Sequence, residues 1–170
     1  MLKVLGPVLL IAGGSCGGLL AASGLNRRVY SLRSFCLALE LAQRELSFSL
    51  SPTPELLEKL SRQVPPPANG FFARCRADLS QLGEKSLAEI WRGVLAVSAP
   101  DLTEEDRDLL AQVGNVLGRY DGPGQQEAFG QVRAGLAHAL EGAEQDRDSR
   151  GKVMKALGLT AGCFLAILLL

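Results

Sequence analysis

Histidine is nearly missing from this chain: His138 stands alone among 170 residues. Aromatic residues make up 5% of it, and neither charge sign is in excess, with 18 basic and 18 acidic side chains. Each shortage excludes something. With one imidazole and no CxxC among its four cysteines, the chain lacks the ligands for a zinc site. A formal net charge of zero leaves no polybasic footprint for nucleic acid. β-branched residues are sparse and nothing alternates with period two over a useful length, so sheet is not expected. There is no dinucleotide-binding glycine loop, no P-loop and no serine elbow. The sequence therefore offers no catalytic constellation and no cofactor site. His138 falls opposite the apolar stripe of its helix and reads as a solvated surface residue. Glu104, Glu105 and Asp108 could be drawn as a metal cluster, but acids in the first turns of a helix simply complement its dipole.

Charge is also missing locally. Val4 to Leu25 carries no ionisable group except cysteine, and neither does Ala156 to Leu170. A hydrocarbon core of about 30 Å needs about 20 apolar residues in helix, so the first run is long enough to span a bilayer. The second is short and reaches spanning length only if Val153 and Met154 join it while Lys152 and Lys155 snorkel; a re-entrant or interfacial tail is its other reading. The expected organisation is a transmembrane helix over 4–25, a helical domain over 26–152 and a transmembrane helix over 153–170. Arg27, Arg28 and Arg33 follow the first run, and Arg147, Arg150, Lys152 and Lys155 precede the second. The positive-inside bias then puts the middle domain in the cytoplasm and both termini outside. The rival is a cleaved signal peptide, for which Ala21-Ala22-Ser23 is a passable cleavage site. That rival makes a secreted helical protein with a C-terminal anchor. Gly13 with Gly17, Gly14 with Gly18, and Gly158 with Gly162 have the spacing that lets membrane helices pack closely, within the chain or between subunits.

The middle domain has helical periodicity throughout. Leu32, Phe35, Leu39, Leu46 and Leu50 share one face of a first helix. Leu37, Leu41 and Phe48 lie on the opposite face, which predicts a helix packed on both sides. Ser34, Ala38 and Ser49 form a small-residue flank that also holds Glu45. A carboxylate on such a flank, if buried, requires a partner; the helix start at Thr53-Pro54, with Thr53 as N-cap, is the leading one, and an arginine or a partner contact the other. Pro65-Pro66-Pro67 makes a stiff turn. Phe71, Phe72, Cys75 and Leu79 form the next apolar face, and Leu87, Ile90, Trp91, Val94 and Leu95 another, with Trp91 read as core. Thr103 with Asp106 resembles a capping box ahead of the stripe Leu109, Leu110, Val113, Val116, Leu117, Tyr120. Asp121 precedes Gly122-Pro123-Gly124 and is placed to cap the last helix, with Gln125 able to reach back to the same turn. The expected fold is all-α: an antiparallel helical bundle flanked by transmembrane helices.

Taken in order, these segments resemble the stage III sporulation protein AB family over nearly the whole chain. The carriers are the Met-Leu-Lys start, Glu45-Leu46 ahead of SPTPELLEKLS, the run VPPPANGFF, the single Trp91, and the ending KVMKALGLTAGCFLAILLL. Most specific is LGRYDGPGQQ, with its Leu-Gly pair at Gly118, then Asp121, then Gln125. The glycine-rich first span departs from the family pattern. The resemblance implies a nonenzymatic platform subunit of a secretion-like channel between mother cell and forespore, similar to the inner-membrane platform of type II secretion and type IV pilus machines. It implies residence in the outer forespore membrane with the domain in the mother-cell cytoplasm. It also implies other stage III sporulation A-operon proteins as partners, among them the ATPase stage III sporulation protein AA, with membrane lipid around the spans, no nucleic acid, and self-association as a further expectation. On the same ground Asp121 acquires a partner-docking reading beside its capping one.

Overall fold

The computed structural model describes the backbone of residues 2–48, 52–117 and 123–168, and the side chains mainly of residues 23–47, 52–117 and 127–150. Six helices follow one another: α1 (Leu2–Phe48), α2 (Thr53–Gln63), α3 (Ala68–Asp78), α4 (Leu87–Ser98), α5 (Glu104–Leu117) and α6 (Pro123–Leu168). A 3-10 turn, Leu79–Gln81, follows α3. No strand element occurs among the described residues, so the chain is all-α. Among the described residues no helix is long and apolar enough to cross a membrane. The side chains of residues 1–22, and most of those beyond 150, lie outside that set.

The chain divides into two compact units. One consists of Met1–Val29 and Glu141–Leu170, the outer stretches of the two long helices. In it Ala143 is buried, and Arg150 pairs with Asp146 at 2.9 Å one turn away. The other unit is Tyr30–Leu140, a bundle with its own core.

Local chemistry sets the helix ends of the bundle. Ser86 caps α4, its Oγ accepting from the Glu89 backbone N–H while the Glu89 carboxylate accepts from the Ser86 N–H, a reciprocal capping box. Thr103 and Asp106 make the second box: the Thr103 N–H donates to Asp106 Oδ2 at 3.0 Å, and the Asp106 N–H to Thr103 Oγ1 at 3.2 Å. Asp106 is buried, its oxygens placed where the free amides of the first turn need them. The start of α2 differs from the sequence expectation. Thr53 lies inside the helix, Pro52 occupies the cap, and no side chain caps the turn. Proline at the second position costs nothing there, because its missing N–H would have no helical partner.

The core forms where apolar faces of different helices meet. Phe35 of α1 meets Phe71 of α3 edge to face at 5.6 Å between ring centroids. Phe71 also meets Phe72 at 5.0 Å and Trp91 of α4 at 4.8 Å, both edge to face. Such T-shaped pairs add about 1 kcal/mol each beyond the area they bury. Leu32 and Leu39 of α1, Leu56, Leu57 and Leu60 of α2, and Leu110 and Val113 of α5 are buried as well. Small residues on the α1 flank permit close approach: Ala38 and Ser34 are buried, and Ser34 Oγ donates to the Pro65 carbonyl at 2.6 Å and accepts from the Ala68 N–H at 3.2 Å. One hydroxyl thus ties α1 to the proline turn and satisfies an otherwise unmatched amide at the start of α3.

The expectation that α1 is covered on both sides fails within the bundle. Leu32, Phe35 and Leu39 are buried, but Leu37 on the opposite face is 46% exposed and Leu41 only half-buried. Periodicity records which faces are apolar; it does not say that one chain supplies a cover for each.

Candidate functional site

Trp91 occupies the centre of the bundle, 1% exposed. Besides its ring contacts, its Nε1–H donates to the Leu110 carbonyl of α5 at 2.9 Å. A helix-interior carbonyl with this second partner marks a close crossing of α4 and α5. Gly114, one turn on from Leu110, explains how the crossing is reached: a Cβ there would lie 2.7 Å from Trp91 Cβ and 2.8 Å from Cγ. Trp91 is therefore a structural residue, unavailable to a partner.

Glu45 finds its partner on the next helix. Lys59 Nζ donates to its Oε2 at 2.7 Å, with the side chains 20% and 33% exposed for Glu45 and Lys59. The partner is an ammonium of α2, not the helix start or an arginine. The contact joins α1 to α2 across 14 residues of sequence. The hydrogen bond to the Glu45 carboxylate is the main reason the Lys59 amine is raised above its ordinary value. The pair closes the α1–α2 crossing and leaves Glu45 no capping role.

Gly118 and Asp121 lie outside the described residues, and so does the side chain of Gln125 in the first turn of α6. Gly13, Gly14, Gly17 and Gly18 fall in the first stretch of α1, and Gly158 and Gly162 near the end of α6, at positions whose surroundings are not described. His138 is exposed on α6. Among the described residues no group of histidine, cysteine or acid side chains could hold a metal ion. Burial pushes the Cys75 thiol up to about 12, so it behaves as a small core hydrophobe. Glu104, Glu105 and Asp108 are exposed along the start of α5.

Among the depressions on the described surface, two bring together segments that the sequence did not connect. A cavity of about 420 Å³ opens between the start of α2, the loop after α3, the start of α4 and the end of α5. Its walls include Pro54, Leu79, Leu82, Leu87 and Leu117. Gly83, at φ +115°, turns the loop in a conformation other residues rarely adopt, and Leu82 beside it is 51% exposed. The second feature is a groove of about 370 Å³ between α1 and α6, lined by Cys36, Leu37, Glu40, Arg133, Ala134 and Ala137. The α1–α6 groove sets Leu37 and two alanines between Glu40 and Arg133, whereas the lining of the cavity is apolar and uncharged polar. The exposed hydrophobic at Leu82 was a legible residue but not a legible surface, since its neighbours come from four segments.

The family described as stage III sporulation protein AB matches the chain over residues 3–170. A curated relative, stage III sporulation protein AB of Bacillus subtilis (strain 168), is 25% identical over 177 residues, covering 100% of both chains. A solved structure, stage III sporulation protein AB (SpoIIIAB), superposes with a TM-score of 0.64 at 22% identity, covering 72% of this chain and 98% of that one. At that identity the superposition speaks to the fold alone.

Proposed function

The chain belongs to the stage III sporulation protein AB family, and from that premise we propose that it is a nonenzymatic platform subunit of a secretion-like complex between mother cell and forespore. In this reading the bundle faces the mother-cell cytoplasm and two helical arms anchor it in the outer forespore membrane. Membership in the family carries the role in sporulation. The observation that supports the anchoring is the far end of α6. There Val153, Leu157 and Phe164 recur on one helical face, with exposures of 56, 61 and 67%. Water is a poor solvent for such a stripe, and lipid a good one. The stripe continues a helix that begins in the bundle, and α1 likewise runs from the uncharged N-terminal stretch into the core without a break.

Partners proposed on the same footing are other stage III sporulation proteins, the secretion-type ATPase stage III sporulation protein AA among them, with membrane lipid around the arms and further copies of the chain. The anchored bundle would act as a rigid bracket for them. Its surface supplies grooves and mixed charge, and its one tryptophan and most aromatic rings are committed to the core.

The test uses the full chain in sporulating cells, with Ser61→Cys as a reporter on α2. The expected result is no labelling by an impermeant maleimide in intact cells, labelling after permeabilisation, loss of heat-resistant spores when the chain is removed, and recovery of the ATPase with the crosslinked, purified protein. Labelling of Ser61→Cys in intact cells would place the bundle outside and support a secreted protein with a cleaved leader instead. Normal spore yield without the chain would remove the platform reading.

A further inference from the structure

The groove between α1 and α6 has unlike walls. Cys36, Leu37 and Glu40 form the α1 wall, and Arg133, Ala134 and Ala137 the α6 wall. Leu37 stands out of the first, 46% exposed. The second is low. Ala134 and Ala137 are exposed on it, and at Gly130, one turn before Ala134, a Cβ would meet nothing within 4 Å. The bulk of the groove is therefore on α1 and its open space on α6.

The charges in the lining divide the same way, with the acid, Glu40, on the α1 wall and the base, Arg133, on the α6 wall. Among the described residues Arg133 has no hydrogen-bond or ion-pair partner. Glu40 touches Arg44 of its own helix at 3.7 Å, with both side chains more than half exposed. A pair this long and this exposed holds the carboxylate loosely and leaves it able to accept a second cation.

We propose that two copies of the chain pair through this groove, about a two-fold axis that runs along it. That axis lays the α1 wall of each copy on the α6 wall of the other. Leu37 then fills the low strip at Ala134 and Ala137 of the second copy, and Glu40 meets Arg133 of the second copy. The symmetry makes each contact twice. Each wall's lining extends over four residue steps, about 6 Å of helix, so exchanging the walls keeps the opposite charges within reach of one another. A second copy is the occupant because the surface is complementary to itself, large against small and acid against base. A two-fold axis across the groove does the reverse: it sets α1 on α1 and α6 on α6, bringing Glu40 toward Glu40 and Arg133 toward Arg133. The axis along the groove also leaves both copies pointing the same way, as two copies anchored in one membrane must. That last point rests on the platform reading, which the contact deepens by giving the subunit its self-contact; the complementarity of the walls belongs to the bundle unit alone.

The experiment uses the full chain in membranes, with Cys16→Ser, Cys36→Ala and Cys163→Ser; Cys75 stays, buried and unreactive. Two differently tagged copies are co-expressed, one with Leu37→Cys and one with Ala137→Cys, and oxidised with copper phenanthroline. A disulfide forms between them only where the two Cα atoms come within about 7 Å. The expected product carries both tags and exceeds severalfold the product of either variant with itself. Glu40→Arg alone or Arg133→Glu alone, placed in both copies, lowers it severalfold. The two changes together in every copy restore most of it, which a misfolded bundle could not do. Three results overturn the proposal: Leu37→Cys copies joining each other in preference, no disulfide between copies that are folded and membrane-bound, or a double reversal as weak as the single ones. Failure of the crosslink with spore formation still dependent on the chain removes this contact and leaves the platform reading. A specific crosslink with spore yield independent of the chain does the reverse.

Discussion

Adding one methyl group at Gly114 tests the packing at the centre of the bundle. A Cβ at this position sits 2.7 Å from Trp91 Cβ and 2.8 Å from Cγ, against an ordinary carbon–carbon separation of about 3.5–4.0 Å. Trp91 Cβ is next to the backbone and cannot swing away, so α4 and α5 must separate by about 1 Å. That movement stretches the bond from Trp91 Nε1 to the Leu110 carbonyl, now 2.9 Å. It also disturbs the ring contact at 4.8 Å with Phe71. Overpacking of this kind costs typically 1–3 kcal/mol, and the weakened hydrogen bond about 1 kcal/mol more. Against this, alanine in a helix interior is favoured over glycine by about 1 kcal/mol. The net expectation for Gly114→Ala is a loss of about 2 kcal/mol, or roughly 4–8 °C in Tm for a chain of this size. Two internal controls share the helix-propensity gain without the clash. Gly93→Ala meets nothing within 4 Å and should stabilise by about 0.5–1 kcal/mol. Gly135→Ala meets only the end of the Leu109 side chain, at 3.1 Å, and should be nearly neutral. Urea and thermal unfolding of the purified chain, followed by Trp91 emission, give all three values. A Gly114→Ala protein as stable as the parent would refute the close α4–α5 crossing.

Trp91→Phe keeps most of the ring packing but removes the donor to the Leu110 carbonyl. Unfolding followed by circular dichroism should show a loss of about 1–3 kcal/mol, and an unchanged midpoint would mean the bond contributes nothing. Asp106→Ala removes one half of a part-buried capping box and should cost about 1–2 kcal/mol, with Thr103→Ala costing a similar amount; additive losses in the double variant would argue against reciprocity. The hydrogen bonds from Ser86 hold the Glu89 carboxyl below its usual value of 4.5, so its contribution is complete above that pH and disappears as pH falls through the lowered folded value. Acid titration of stability should therefore be shallower in Glu89→Gln than in the parent, and identical slopes would contradict the role of that carboxylate. Lys59 is raised by Glu45, so its contribution is present below about 10.5 and is lost as pH rises beyond it; Glu45→Gln should flatten the alkaline limb of the same profile.

Much of this protein is decided by local sequence. The capping box at Thr103 and Asp106 uses atoms three residues apart, and the apolar face of Leu32, Phe35 and Leu39 needs only the helical repeat; both are read correctly from the chain. Helix punctuation at the prolines and at Gly83 is equally local. The partner of Glu45 is different in kind. Lys59 lies 14 residues away on another helix, so no pattern within one helix reveals the pair. Ser34 shows the same limit: its small size marks a close approach, but the Pro65 carbonyl and Ala68 amide that it joins are more than thirty residues distant. Gly114 looks like a weak point in a helix until Trp91 is seen against it. Leu37 belongs to a stripe that periodicity marks as apolar, and only the packed bundle reveals that it stays 46% exposed. Periodicity and capping act along a single helix, so the sequence by itself determined the helices and their inward faces. Which helices touch, and which apolar surfaces are left over, depends on loop directions and on the summed fit of many side chains, and only the tertiary structure decided that.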